Sequence, residues 1–293
     1  MPTLVRQSAD IIGPFPLFQP VRINVVLVSH SGVCEVEMSV FKRLPAPVKR
    51  AITTCLWPLM PGWVDEGRRI VQGPALERLI ERAARQCSFP RVLNAGSGES
   101  VFAFLLAGLP AIKQLLETDV NVASGRARVA ANQAFFGSSL TAIPLPAHSV
   151  DLILCTEVLE HIPDDGMALD ELARVLVPTG WLLISVPTPP AVPDPDHVRE
   201  GYKPEDLRRM LDDRGFDVLE MQFCMYRFFR WILTNWQDLP YRPSFLIRGL
   251  SYLDRLLPLG PPMDLVLLAR PNGDSSPGAV TMTPTAGGER QEG

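Results

Sequence analysis

The sequence predicts a doubly wound α/β domain built on a mostly parallel sheet. Two observations lead there. Short, continuously apolar runs alternate with longer stretches of helical periodicity, the pattern of strands covered by helices on both faces. One such run, Arg91-Val-Leu-Asn-Ala95, breaks into Gly96-Ser-Gly98. Glycines there let the backbone turn sharply from a buried strand into a helix and come close to a ligand.

Each element can be justified in turn. Residues 1–40 mix Pro and Gly with a β-like run over 22–29 and form a poorly defined extension. Met38 reads as a more natural start than Met1. From 65 to 86, apolar residues fall at Ile70, Leu76, Leu79, Ile80 and Ala83, helical spacing from Leu76 onward, with Pro74 where a helix begins or breaks. The first strand covers 92–95. A helix follows over 99–106, stopped by Gly108-Leu-Pro110. A second strand covers 113–118, an Ala- and Arg-rich helix 123–135, and a short strand lies near Leu140. The clearest strand is 150–155. A helix over 166–176 ends at Pro178-Thr-Gly180, and the strand 181–186 ends at Pro187. Another helix covers 205–213 and a strand 217–224. The last strand is 263–269. Residues 225–260 form an insertion before it, and the Gly-, Pro-, Thr- and Ser-rich stretch 271–293 reads as a disordered tail.

A chain of 293 residues with 46% hydrophobic content has ample material for one large core. The net charge of −4 offers no general basic field, so no nucleic-acid partner is expected. The five cysteines are scattered, and no C-x-x-C spacing suggests zinc. A reducing cytoplasm is the simplest setting. No apolar run reaches the roughly 20 residues that span a bilayer.

Chemistry concentrates at the strand ends. After Gly96-x-Gly98, a third glycine would stand at position 101 in a nicotinamide-binding turn; Val101 stands there instead. Glu117-Thr-Asp119 ends the second strand about 20 residues on, where an ionised acid meets ribose hydroxyls. Asp119 is favoured over Glu117 because it lies at the strand end.

The stretch Ala142-Ile-Pro-Leu-Pro, followed by Ser149-Val-Asp151 and Val158-Leu-Glu-His-Ile162, resembles the class I S-adenosylmethionine-dependent methyltransferases, in particular the type 11 small-molecule group. Glu171-Leu-Ala-Arg-Val-Leu-Val-Pro-Thr-Gly180 and the segment from His197 to Leu207 match the same pattern. The resemblance covers roughly 91–223 and a final strand at 264–270. It implies a Rossmann-like sheet of seven strands with the last antiparallel. It implies S-adenosylmethionine as cofactor, with Asn94, Gly96 and Gly98 holding its methionine portion. Asp119 would bind the ribose and Val120 lie beside the adenine. Leu140 and Ala142 would line the adenine, and Glu157 would face the methionine end or the acceptor. Asn94 stands where the family usually has an acid; Glu99 could partly replace that charge.

Methyl transfer from a sulfonium needs alignment above all, and a base only if the nucleophile is a hydroxyl or a protonated amine. His161, after the fourth strand, is the leading candidate, and His197, in the loop after the fifth, is the second, placed to line the acceptor pocket. His148 reads as a surface-turn residue. Glu157, Glu160 and His161 form an E-x-x-E-H cluster, but no second matching histidine stands nearby in sequence, so no metal is expected. In 225–260, Met225-Tyr-Arg-Phe-Phe-Arg-Trp231 interleaves aromatics with arginine. That segment predicts a helical lid, or an apolar lid over a lipid-like or lipid-linked acceptor with peripheral membrane contact through 225–257. The expected activity is methylation of a small-molecule, glycan or lipid-linked acceptor. Two rival readings stay open: a non-catalytic cofactor-binding protein and an NAD-dependent oxidoreductase.

Overall fold

The structure is a computed structural model, and it describes residues 27–29, 32–34, 62–109, 111–121 and 131–272. Most of the N-terminal extension and nearly all of the 271–293 tail lie outside those residues. Within the extension, β1 (Leu27–Ser29) and β2 (Gly32–Cys34) pair as an antiparallel hairpin.

Two helices lead in, α1 (Val64–Val71) and α2 (Gly73–Ala84). Pro74 sits in the first turn of α2, where its missing N–H leaves no bond unmade. The main sheet then follows: β3 (Arg91–Ala95), α3 (Ala103–Ala107), β4 (Gln114–Asp119), β5 (Gln133–Gly137), β6 (Val150–Thr156), α4 (Asp165–Val175), β7 (Leu176–Pro187), α5 (Pro204–Asp212) and β8 (Phe216–Cys224). The insertion supplies α6 (Arg227–Asn235) and α7 (Ser244–Leu256), and β9 (Asp264–Pro271) closes the sheet.

The seven strands lie in the order β5-β4-β3-β6-β7-β9-β8. Only β9 runs against its neighbours, antiparallel to both β7 and β8. The order reverses beside β3, between β4 and β6. That switch point is where an open α/β sheet leaves a crevice at its strand ends.

Alternate residues of the central strands feed two cores. Val92, Leu152, Leu154, Trp181, Leu183, Val266 and Leu268 pack on the face covered by α2, α3 and the insertion. Leu93, Ala95, Ile153, Leu182, Ile184, Leu265 and Leu267 pack on the face covered by α4 and α5. Burial on both faces is why these strands read as continuous apolar runs. Phe229, Ile232, Trp236 and Ile247 of the insertion are fully or nearly fully buried in the first core. Its two helices cross α1 closely: a Cβ on Gly67 would stand 2.7 Å from Phe229 and 2.8 Å from the Ser251 hydroxyl. The buried Asp254 of α7 caps α6 by accepting from the backbone N–H groups of Tyr226, Phe228 and Phe229.

Four sequence expectations need correction. The helix expected over 123–135 cannot run to Phe135, because Gln133–Gly137 is strand β5; residues 122–130 lie outside the described ones. The strand expected near Leu140 is that same β5. As an edge strand with exposed positions it lacks the apolar run that marks the others, and parallel pairing with β4 holds it extended. The helix after Gly98 begins at Ala103 instead of 99, since Ser100 has φ +59° and delays the helical turn. Helix α4 ends at Val175 and passes straight into β7, so Pro178-Thr-Gly180 lies inside β7, where its register with β6 shifts.

Candidate functional site

The glycine turn after β3 lies at the sheet's switch point and forms one wall of a cleft of about 240 Å³. Asn94, Gly96, Gly98 and Glu99 line it from that side, Glu157 from the end of β6, and Asp65 and Arg68 from α1. Gly96 has φ +68°, and a Cβ there would lie 2.4 Å from Val158, so the turn after β6 presses directly on the turn after β3. Among the described residues, a Cβ on Gly98 would meet no atom within 4 Å. These two observations fit a backbone-lined cradle for a ligand that must come close to the chain.

Under the turn lies a buried polar cluster. The Glu117 carboxylate is fully buried and accepts from the Asn94 amide at 2.8 Å, from the Ser100 hydroxyl at 3.1 Å and from the Gln133 amide. Glu117 is thus committed inward. Asp119, one turn of the pleat further on, carries its carboxylate to the cleft rim, where Oδ2 accepts from the Gly98 N–H and Oδ1 from the Asn121 N–H, both at 2.8 Å. Of the two acids, Asp119 is thus the one held at the turn and Glu117 the one held beneath it. Val120 beside it is 75% exposed. Leu140 is buried among Leu116 and Ile143, and Ala142 is exposed on the loop beyond it. Neither these three nor Asp119 is among the residues that line the cleft; Asp119 reaches it only through its bond to Gly98.

At the other end, Glu157 has φ +54°, a conformation that a non-glycine residue holds only where its surroundings impose it. Its N–H donates to the Ser185 carbonyl at 3.0 Å, and its Oε1 accepts from the Ser185 hydroxyl at 2.9 Å. Behind it, the Gln72 amide donates to the Ser185 hydroxyl at 2.9 Å and to Asp264 at 2.7 Å. Burial, and then the neighbouring Glu157, push the Asp264 carboxyl well up. Gln72, Ser185 and Asp264 lie on three elements distant in sequence, and no local pattern marks them.

His161 and His197 come together beyond Glu157, ring centroids 4.6 Å apart and nearly perpendicular. His161 is more exposed; burial and then His161 lower the His197 pKa. Close to both is Glu160, fully buried and pushed up to about 9 by burial and by Glu157. His148 lies in an exposed turn, as expected, with Nδ1 3.0 Å from the Leu176 carbonyl.

The E-L-A-R stretch has a structural task. Glu171 accepts from the Ile143 N–H at 2.8 Å and pairs with Arg174 at 2.6 Å. Arg174 donates to the Leu145 and Ile143 carbonyls, both at 2.8 Å. Together they staple the Ile143-Pro-Leu145 loop to α4.

Residues 93–184 match the family model described as a methyltransferase domain. A Mycolicibacterium smegmatis protein named "probable S-adenosylmethionine-dependent methyltransferase" is 33% identical over 171 residues, 52% of this chain and 65% of that protein. A Mycobacterium tuberculosis protein of the same description is 33% identical over 154 residues, 47% of this chain and 53% of its own length. The chain thus spans less than two-thirds of the length of these relatives. Among solved structures, a SAM-dependent methyltransferase from Archaeoglobus fulgidus aligns with TM-score 0.46 at 20% identity, covering 68% of this chain and 92% of that one. The segment that carries the glycine turn and the strands around its cleft, residues 93–184, is thus similar to the methyltransferase-domain family and to these S-adenosylmethionine-dependent relatives.

Proposed function

We propose that this protein transfers the methyl group of S-adenosylmethionine to a small-molecule, glycan or lipid-linked acceptor in a cytoplasmic setting. The observation that carries the reading is the cleft itself: a glycine cradle at the switch point, whose Gly98 N–H is held by Asp119, with Glu157 on the far side.

When bound, the cofactor supplies a methyl group already activated on a sulfonium. The chain's task is then to align and to exclude water. Gly96, Gly98, Asn94 and Glu99 would hold the methionine portion, and Asp119 the ribose hydroxyls. Val120, Leu140 and Ala142 keep their assignment to the adenine side, with Val120 and Ala142 exposed where a ring could lie on them. Glu157 marks the acceptor end, where His161 and His197 serve a nucleophile that must lose a proton.

The insertion supports an acceptor or surface of lipid character. Phe245, Tyr252 and Leu256 are 52%, 45% and 72% exposed and recur at helical spacing on one side of α7. Arg255 is exposed in the same helix, while its acid, Asp254, is buried. Such a face suits peripheral contact with an anionic bilayer. Among the described residues, no helix is long and apolar enough to cross one.

Calorimetric titration of the full chain with S-adenosylmethionine and with NAD tests the reading. One equivalent of S-adenosylmethionine should bind, and Asp119→Ala should weaken it about tenfold or more, the loss of a charged hydrogen bond. Binding of NAD without S-adenosylmethionine would overturn it.

A further inference from the structure

Behind Glu157 the fold buries three polar side chains from distant elements. Gln72 stands at the junction of α1 and α2, Ser185 on β7 and Asp264 at the start of β9, and all three are fully buried. The antiparallel register sets Asp264 opposite Pro187 on one side and Cys224 on the other. Only the assembled sheet therefore brings it behind the turn after β6.

Their hydrogen bonds run toward Glu157. The Gln72 amide has two hydrogens, and its two short bonds go to Asp264 Oδ2 at 2.7 Å and to the Ser185 hydroxyl at 2.9 Å; Glu157 Oε1 lies further off, at 3.4 Å. The Cys224 thiol donates to the same Asp264 oxygen at 3.0 Å. The Ser185 hydroxyl in turn donates its own hydrogen to Glu157 Oε1 at 2.9 Å. Burial first, then the charge of Glu157 and a hydrogen bond to it, push the Asp264 carboxyl well up. Asp264 therefore keeps its proton and donates to Glu157. Two donors grip one carboxylate from behind and fix its direction. Stability alone does not call for such a group, because apolar side chains of like volume would serve a core as well.

Glu157 meets the cleft with this support behind it. Its left-handed backbone is held by the bond from its N–H to the Ser185 carbonyl, so one residue of β7 fixes both main chain and side chain. Across the cleft, Asn94 carries no charge, and its amide is committed to Glu117. Glu99 lines the cleft but is exposed, where water screens its charge. Asp65 lies on α1, where its charge acts on Arg69. Glu157 is the acid of the cleft whose direction is set from the protein interior.

We propose that Asp264, Gln72 and Ser185 are positioning residues that present Glu157 to the cleft as the counter-charge for the ammonium group of S-adenosylmethionine. This deepens the methyl-transfer reading and rests on it. A fixed, partly buried carboxylate meets a primary ammonium with a charge-assisted hydrogen bond. Glu157 then acts in binding, and removal of a proton from an acceptor falls to His161 and His197.

The test is calorimetric titration of the full chain with S-adenosylhomocysteine, which keeps the ammonium without the sulfonium charge, and with its deaminated analogue. Wild type should bind the first about tenfold or more tighter. Glu157→Gln should narrow that ratio to within about threefold, and so should Asp264→Leu, which removes a donor behind it. Asp264→Asn offers an amide hydrogen to Glu157 and a carbonyl to Gln72, and should restore the wild-type ratio. If Asp264→Leu does not fold, as read by circular dichroism, Ser185→Ala takes its place. A merely structural role predicts that these variants weaken both ligands in parallel and leave the ratio unchanged. That result, or a wild type that binds both ligands equally, overturns the proposal and leaves the methyl-transfer reading standing. A wild type that binds neither S-adenosylmethionine nor S-adenosylhomocysteine sinks that reading itself.

Discussion

Replacing Asn94 by Asp restores the acid that the family resemblance leads one to expect at the end of the first strand. The structure predicts that this change harms the protein. The Asn94 amide donates to Glu117 at 2.8 Å, and both side chains are buried. An aspartate would set a second carboxylate against the first. At that separation two unit charges repel by about 6 kcal/mol with an effective dielectric constant of about 20. The pair escapes by keeping one proton, which costs about 1.4 kcal/mol per pH unit above the normal aspartate pKa near 3.9. The smaller of the two costs applies: about 5 kcal/mol at pH 7.5 and about 2 kcal/mol at pH 5.5, before relaxation. The sign follows from linkage. The introduced acid is harder to ionise in the folded state than in the unfolded, so the unfolded chain releases more protons and the deficit grows as pH rises. Thermal unfolding followed by circular dichroism at both pH values checks this against wild type. At roughly 2–4 °C per kcal/mol, the melting temperature should fall by about 10 °C or more at pH 7.5 and about half as much at pH 5.5. The charge swap Asn94→Asp with Glu117→Gln should recover most of the loss, because a glutamine amide can donate where the asparagine did. Equal stability of Asn94→Asp and wild type at pH 7.5, or a deficit that grows toward acid, would refute the reasoning.

Two further outcomes follow from the same contacts. Gly96→Ala should cost about 2–4 kcal/mol and abolish S-adenosylmethionine binding, from the left-handed backbone and the overlap with Val158 together; adding Val158→Ala should return only part of the stability, as read by denaturant unfolding. Glu171→Gln should lose about 1 kcal/mol at pH 7, since Arg174 holds the Glu171 carboxyl below its ordinary range in a partly exposed pair. That contribution is present above the unfolded-state pKa and disappears as pH falls through the lower folded one, so wild type and variant should melt alike near pH 3; a gap that persists there would contradict it.

The sequence by itself determined most of the sheet. Strands β3, β6, β7 and β9 are buried on both faces, so their apolar runs needed no partner to be read. The glycine turn, Asp119 and Glu157 could be nominated from the sequence because the chemistry of a strand end is local: a turn that must be backbone, an acid one strand over, a residue after the fourth strand. Edge strand β5 was misplaced because half its positions face outward and only pairing with β4 keeps it extended. Which acid under the turn faces inward was likewise a matter of packing, since Asn94, Ser100 and Gln133 converge on Glu117 from three segments. The E-x-x-E-H cluster looked incomplete along the chain, with its second histidine far off in sequence. The crossover after β7 returns His197 to His161, beside the buried Glu160. Strand periodicity records which face a residue takes, but contacts between loops depend on how the strands are ordered, and that order is settled only when the whole sheet is assembled.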